Sequence, residues 1–159
     1  VLHLVRDPRG VANSWMKKKE RRDSIGENSE SQLPVYSPLY TIFKWAQWNL
    51  SYEIASMMYE KFIQVKYENI CLEPKREMKR IEKFYNKKNI RDEKNVRKVI
   101  KDGEAKISSS HAVRGNPDKM EDGWINIKED KSWKKSLSGK IKKIVKISLF
   151  PLMKKYDYE

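Results

Sequence analysis

Val1-Leu2-His3-Leu4-Val5 is a short, largely apolar run that stops at Arg6-Asp7-Pro8-Arg9, and no other stretch constrains the fold as tightly. An apolar run with little alternation reads as a strand buried on both faces, as in a parallel sheet. Pro8 suits the first position of a helix, because its missing N–H would be unpaired there. Asp7 just ahead of it can cap the first turn. A strand that passes directly into a helix in this way predicts an α/β fold. The helix N-terminus offers N–H groups and a partial positive charge, both of which favour an anion. Arg6 stands at the strand tip, where its guanidinium can grip a phosphate through two N–H groups. Ser14 follows Asp7 by seven residues, roughly two helical turns, and can offer a hydroxyl on the same face. For a bare Arg-Asp-Pro-Arg, surface ion pairs at a strand–helix junction are the simpler account. The full string through Ser14 is more specific.

Further along, Ser37-Pro38 opens the longest helix, running to about Glu60, with Leu39, Ile42, Phe43, Ala46, Leu50, Ile54 and Met57 at helical spacing. Trp45, Trp48 and Asn49 lie beside that stripe. The two tryptophans read as packing residues, since base-stacking aromatics sit more commonly on strands or loops. Residues 62–67 form a second strand that ends in Tyr67-Glu68-Asn69-Ile70. Pro74 then opens a helix with Met78, Ile81, Phe84 and Tyr85 on its apolar face. Residues 93–101 read as a shorter helix ending at Gly103, where a glycine C-cap fits. Residues 108–117, Ser-Ser-Ser-His-Ala-Val-Arg-Gly-Asn-Pro, have no helical period and form a loop. Its Arg114-Gly115 pair allows backbone N–H groups close to a phosphate while the side chain adds charge. A last helix ends near Tyr156-Asp157-Tyr158, so the C-terminal half is largely helical.

Composition narrows the class without choosing the partner. A chain of 159 residues fits one domain with a sizeable core. Apolar content of 38% with five tryptophans argues against disorder, although 36% of residues are charged. A net charge of +13 suits a polyanion: nucleic acid, an acidic glycan, a membrane surface or a multiply phosphorylated nucleotide. A lysine-rich solvated surface explains as much. The basic cluster at 17–22 reads the same way, with attraction of an acidic acceptor as the second account. The lone Cys71 allows no internal disulfide and reads as a small buried apolar residue rather than a nucleophile. Residues 144–153, the most apolar late stretch, contain Lys146 and Pro151 and are too short to span a bilayer. A cytoplasmic location is expected.

Three blocks together give the chain an identity. Arg6 to Ser14 closely resembles the 3′-phosphate-binding segment of sulfotransferases that use 3′-phosphoadenosine 5′-phosphosulfate (PAPS). Tyr67-Glu68-Asn69 before a Pro-started helix resembles that family's Tyr-Glu-Asp block, with Asn69 standing where Asp is usual. His111-x-x-x-Gly115-Asn116-Pro117, followed by Asp130-x-x-Trp133, resembles the C-terminal end of bacterial and carbohydrate sulfotransferases. The resemblance implies a P-loop-like three-layer α/β fold over residues 1–159, read as one sulfotransferase domain with an incomplete parallel sheet. It implies PAPS as sulfuryl donor, with Arg6 and Ser14 on the 3′-phosphate, Tyr67 near the adenine, and Arg114 and Gly115 closing over the nucleotide. His111 reads as a loop-ordering hydrogen-bond partner, or else as a general base.

The family's Gly/Ser/Thr-rich loop for the 5′-phosphosulfate has no counterpart here, so the chain reads as an N-terminally truncated C-terminal portion, inactive alone, whose catalytic base is not identified. The acceptor is a hydroxyl or amine compound, carbohydrate or other small molecule, and no metal or nucleic acid is expected. Two other readings stay open: a basic nucleic-acid-binding module, and another P-loop nucleotide enzyme such as a small-molecule kinase. The first predicts salt-steep affinity for generic RNA or DNA. The second predicts a Lys-Ser/Thr phosphate loop and a need for Mg²⁺.

Overall fold

The computed structural model describes residues 1–17, 34–85, 99–101, 103–107 and 123–158. They group into two compact units. One holds Val1–Lys17, Pro34–Tyr67 and 130–158, and the other holds 68–85, 99–101, 103–107 and 123–129.

The first unit is built around two parallel strands, β1 (Leu2–Val5) and β2 (Ile63–Lys66), in the register Leu2–Ile63 to Val5–Lys66. Helix α1 (Pro8–Trp15) follows β1 after a two-residue turn, with Pro8 in its first turn as its locked φ favours. Asp7 caps it by accepting the Arg9 N–H at 2.8 Å. Helix α2 (Pro38–Met58) starts from Ser37, whose hydroxyl accepts the Tyr40 N–H at 3.2 Å. Two more helices close the unit: α5 (Trp133–Ser136) and α6 (Gly139–Lys155), the latter capped by Ser138 and passing through Pro151. The core gathers Val5, Trp45, Val145, Leu149, Met153, Tyr156 and Tyr158.

In the second unit, helix α3 (Tyr67–Leu72) leads into α4 (Pro74–Tyr85), opened by Pro74 as expected. The buried residue of α4 is Glu77, which accepts from Arg80 at 2.7 Å. Met78, Ile81 and Phe84 are half-buried and Tyr85 is exposed. Three short strands follow, β3 (Ile100–Lys101), β4 (Glu104–Ile107) and β5 (Gly123–Asn126), paired antiparallel in that order.

Several expectations require correction. Of the helix expected over 93–101, residues 93–98 lie outside the described residues and its end is not helical, because Ile100 and Lys101 are strand residues paired with Ala105 and Glu104. Gly103 lies in the turn between them at φ +84, a left-handed conformation that glycine adopts without a Cβ penalty. Glycine marks a hairpin turn as readily as a helix end, and the sequence pattern did not separate the two. Among the described residues of the C-terminal half, helices predominate and three short strands stand between them. Tyr67 opens α3 rather than ending β2. The apolar stripe of α2 is also mostly solvent-facing, with Leu39, Phe43, Leu50, Ile54 and Met57 between 50 and 83% exposed. Its buried residues are Thr41, Trp45 and Asn49. Trp45 packs as expected, while Trp48 is exposed.

Candidate active site at the strand ends

The site is assembled at the carboxyl ends of β1 and β2, where open α/β sheets receive their ligands. Arg6 is the first residue past β1, and its backbone is held from below. The indole Nε1 of buried Trp45 donates to the Arg6 carbonyl at 3.0 Å. Trp45 is kept in place by its helix, since Asn49 Nδ2 donates to the Trp45 carbonyl at 2.7 Å. Asn49 in turn accepts from the Nε2–H of His3 at 2.9 Å, and Gln64 donates to His3 Nδ1 at 3.3 Å. His3 is stacked on Tyr52 at 4.4 Å and is almost wholly buried. Burial pushes its imidazole below the ordinary value of 6.5, against the opposing pull of Asn49 and the Glu53 charge. A neutral His3 with both ring nitrogens occupied thus ties β1 to α2 and β2.

The side chain of Arg6 lies over an aromatic ring. Its guanidinium carbon sits 4.5 Å from the centroid of the Tyr67 ring, a cation–π contact that restrains the fork. Gly10 gives it room, since a Cβ there would stand 3.2 Å from Arg6 Nε and 3.4 Å from Trp133 Cδ1. Arg6 Nη2 donates to the Asp130 carboxylate at 3.2 Å. The backbone N–H of Asp130 donates to the Tyr67 hydroxyl at 3.3 Å. Asp130 therefore ties both site residues, one through its carboxylate and one through its main chain. Hydrogen bonds from the Ser132 side chain and N–H hold the Asp130 carboxyl down at about 2; Arg6 adds to them and partial burial opposes them.

The two arginines of the opening motif divide their roles. Arg9 grips the Asp7 carboxylate through Nε at 3.0 Å and Nη2 at 2.8 Å, and lies over the Trp133 ring at 4.4 Å. It belongs to the scaffold, an ion pair as the simpler account of Arg-Asp-Pro-Arg had it, but largely buried and not on the surface. Arg6 instead lies over Tyr67 and reaches Asp130. Around them, Asn13 and Lys17 each donate to the Ser132 hydroxyl at 3.0 Å, and the Ser136 hydroxyl donates to Asn13 Oδ1 at 2.7 Å, docking α5 onto α1.

Of the expected nucleotide contacts, the structure brings Arg6 and Tyr67 together. Ser14 lies half-buried two turns into α1, and no hydrogen bond links its hydroxyl to Arg6 or Tyr67 among the described residues. His111, Arg114 and Gly115 lie outside the described residues. Two residues of the site were not identified as such from the sequence. Asp130 was noted only as part of Asp-x-x-Trp, and its pairing across 124 positions leaves no local signal. Gly10 followed from nothing but its place after Arg9. Among the described residues no group of His, Cys, Asp and Glu is arranged to hold a metal ion, and no helix is long and apolar enough to cross a membrane.

No curated protein and no solved structure matches the chain significantly. Residues 1–155 match the family model of the sulfotransferase domain, which spans both units and takes in Arg6, Ser14, Tyr67 and Asp130, and the chain thus belongs to the sulfotransferase family of sulfuryl-transferring enzymes.

Proposed function

We propose that the protein transfers a sulfuryl group from PAPS to a hydroxyl or amine acceptor, and that the corner formed by Arg6 and Tyr67 receives the 3′-phosphoadenosine end. The observation that carries this reading is the guanidinium of Arg6 stacked on Tyr67 at the carboxyl ends of two parallel strands. A guanidinium already held over a ring has less freedom to lose on binding a phosphate, and it offers paired N–H donors. The donor set fits the group: a cationic fork, a hydroxyl on the following helix at Ser14, and an aromatic ring for the base. The nucleotide, when bound, supplies the sulfuryl group. The residues named here orient its far end, which suits a transfer that depends on positioning and charge stabilisation.

On this reading residues 1–159 form one sulfotransferase domain acting in the cytoplasm, with Arg114 and Gly115 closing over the nucleotide. A nucleic-acid-binding module and a kinase-type nucleotide enzyme are not favoured, because the sulfotransferase match covers nearly the whole chain. Calorimetry with adenosine 3′,5′-bisphosphate tests the proposal. Arg6→Ala is expected to weaken binding about ten- to hundredfold, as for a lost charge-assisted bond, and Ser14→Ala about two- to tenfold. Equal losses, or affinity for duplex DNA in place of the bisphosphate, would overturn it.

A further inference from the structure

Residues 131–156 carry nine lysines and no aspartate or glutamate. This run contains α5 and α6, and it is the most one-sided charge on the chain. Helix α6 turns Val145, Leu149 and Met153 inward. At 100° per residue, the opposite face presents Lys140, Lys143, Ile144, Ile147, Phe150 and Lys154, linked by steps of three or four. All six are exposed, with Ile147 at 67%, Phe150 at 52% and Ile144 at 43%. Lys146 is exposed on the flank of the helix, beside Met153, and Lys134 and Lys135 of α5 are exposed ahead of the outer face. An outer face of this kind is unusual, because a helix that has already buried one apolar stripe has no folding reason to keep a second one among lysines.

We propose that the outer face of α6 docks on an anionic lipid surface. Charge complementarity selects the occupant's sign, and the apolar residues select its kind. A nucleic acid or an acidic glycan would pair with the lysines, but it has nothing to bury against Ile144, Ile147 and Phe150. A lipid headgroup region takes both: the three apolar side chains enter the acyl boundary, while the lysine stems lie along it and their ammonium groups reach phosphate. Helix α6 has 17 residues, or about 25 Å, and would lie in the interface plane rather than cross it. The attraction falls with salt, as for any surface-charge interaction.

Flotation with phosphatidylcholine vesicles, with and without phosphatidylglycerol, tests the proposal. The protein is expected to float with the anionic vesicles only, and to be released by high salt. Lys140→Gln with Lys143→Gln should weaken partitioning roughly thirtyfold, at about fivefold per lysine near a charged surface. Ile147→Ser with Phe150→Ser should weaken it as well, while binding of adenosine 3′,5′-bisphosphate stays as in the wild type. Equal flotation with neutral vesicles, or none with anionic ones, would overturn the proposal. So would unchanged flotation of the Ile147/Phe150 variant, since the face would then be a plain polyanion site that heparin or duplex DNA should occupy equally well. All four positions are exposed, so thermal unfolding of the variants should match the wild type.

Discussion

Helix α6 turns Val145, Leu149 and Met153 into the core, whereas α2, four residues longer, buries Thr41, Trp45 and Asn49 and leaves most of its apolar stripe in solvent. Both helices contribute to one core, yet they hold it by different means. α6 supplies apolar area, which is strong but indifferent to orientation. α2 supplies directed bonds: the Trp45 indole to the Arg6 carbonyl, and Asn49 to both the Trp45 carbonyl and His3. Hydrogen bonds contribute little net stability each, but they accept only one geometry. The difference shows which element adheres and which aims. α2 sets where β1 ends, and so where Arg6 begins. The two helices are joined near their ends by Glu53, which accepts from Lys155 and, at 2.5 Å, from the Tyr156 hydroxyl. Burial disfavours the Glu53 charge most, but those two hydrogen bonds together with the charges of Lys155 and His3 outweigh it and hold the carboxyl below its ordinary value.

The contrast is open to measurement. Met153→Ala, which opens a cavity beneath α6, should cost the most, about 2–5 kcal/mol in chemical denaturation; a loss below about 1 kcal/mol would mean that α6 is not the adhesive element. The polar spine of α2 should respond next. Asn49→Ala should cost about 1–3 kcal/mol by leaving buried His3 short of a partner, and stability should also depend on pH. Because the folded His3 is held below 6.5 and the unfolded one is not, the unfolded state binds more protons between those values. Stability should therefore be full above pH 6.5 and fall as the pH drops towards the lowered value. Replacing His3 with Gln should remove that slope, and a slope that survives belongs to another group. The smallest effect is expected at Leu50→Gln on the exposed stripe, within about 0.5 kcal/mol. A cost of 2 kcal/mol there would show that the stripe is covered in solution.

Much of the first unit was legible in the sequence because its signals are local. Pro8, Asp7 and Ser37-Pro38 mark helix starts through the chemistry of one turn, and the helices begin there. The apolar run 1–5 became a parallel strand, but with one face buried and not two: His3 and Val5 are inside while Leu4 is 54% exposed. Periodicity also found α2, but not its inward face. A stripe at helical spacing shows that a helix forms, while the direction it faces depends on what stands opposite. Here that is a strand carrying His3 and a carbonyl that needs a donor, so Asn49 and Trp45 turn inward in place of Leu50 and Ile54. The strands β3 to β5 were missed because they are two to four residues long, too short to show a period.

By itself, the sequence determined the α/β class, the strand-to-helix junction at Arg6, and three blocks that match one enzyme family in order, because each depends on residues within a few positions of one another. Only the tertiary structure decided what surrounds each arginine of that junction. The sequence set Arg6 apart at the strand tip but not the company of either arginine: Asp7 and Trp133 occupy Arg9, while Tyr67, Asp130 and Gly10 surround Arg6. Those partners lie as far as 124 positions away. Contacts at that separation exist only once the chain has closed on itself, and no local pattern records them.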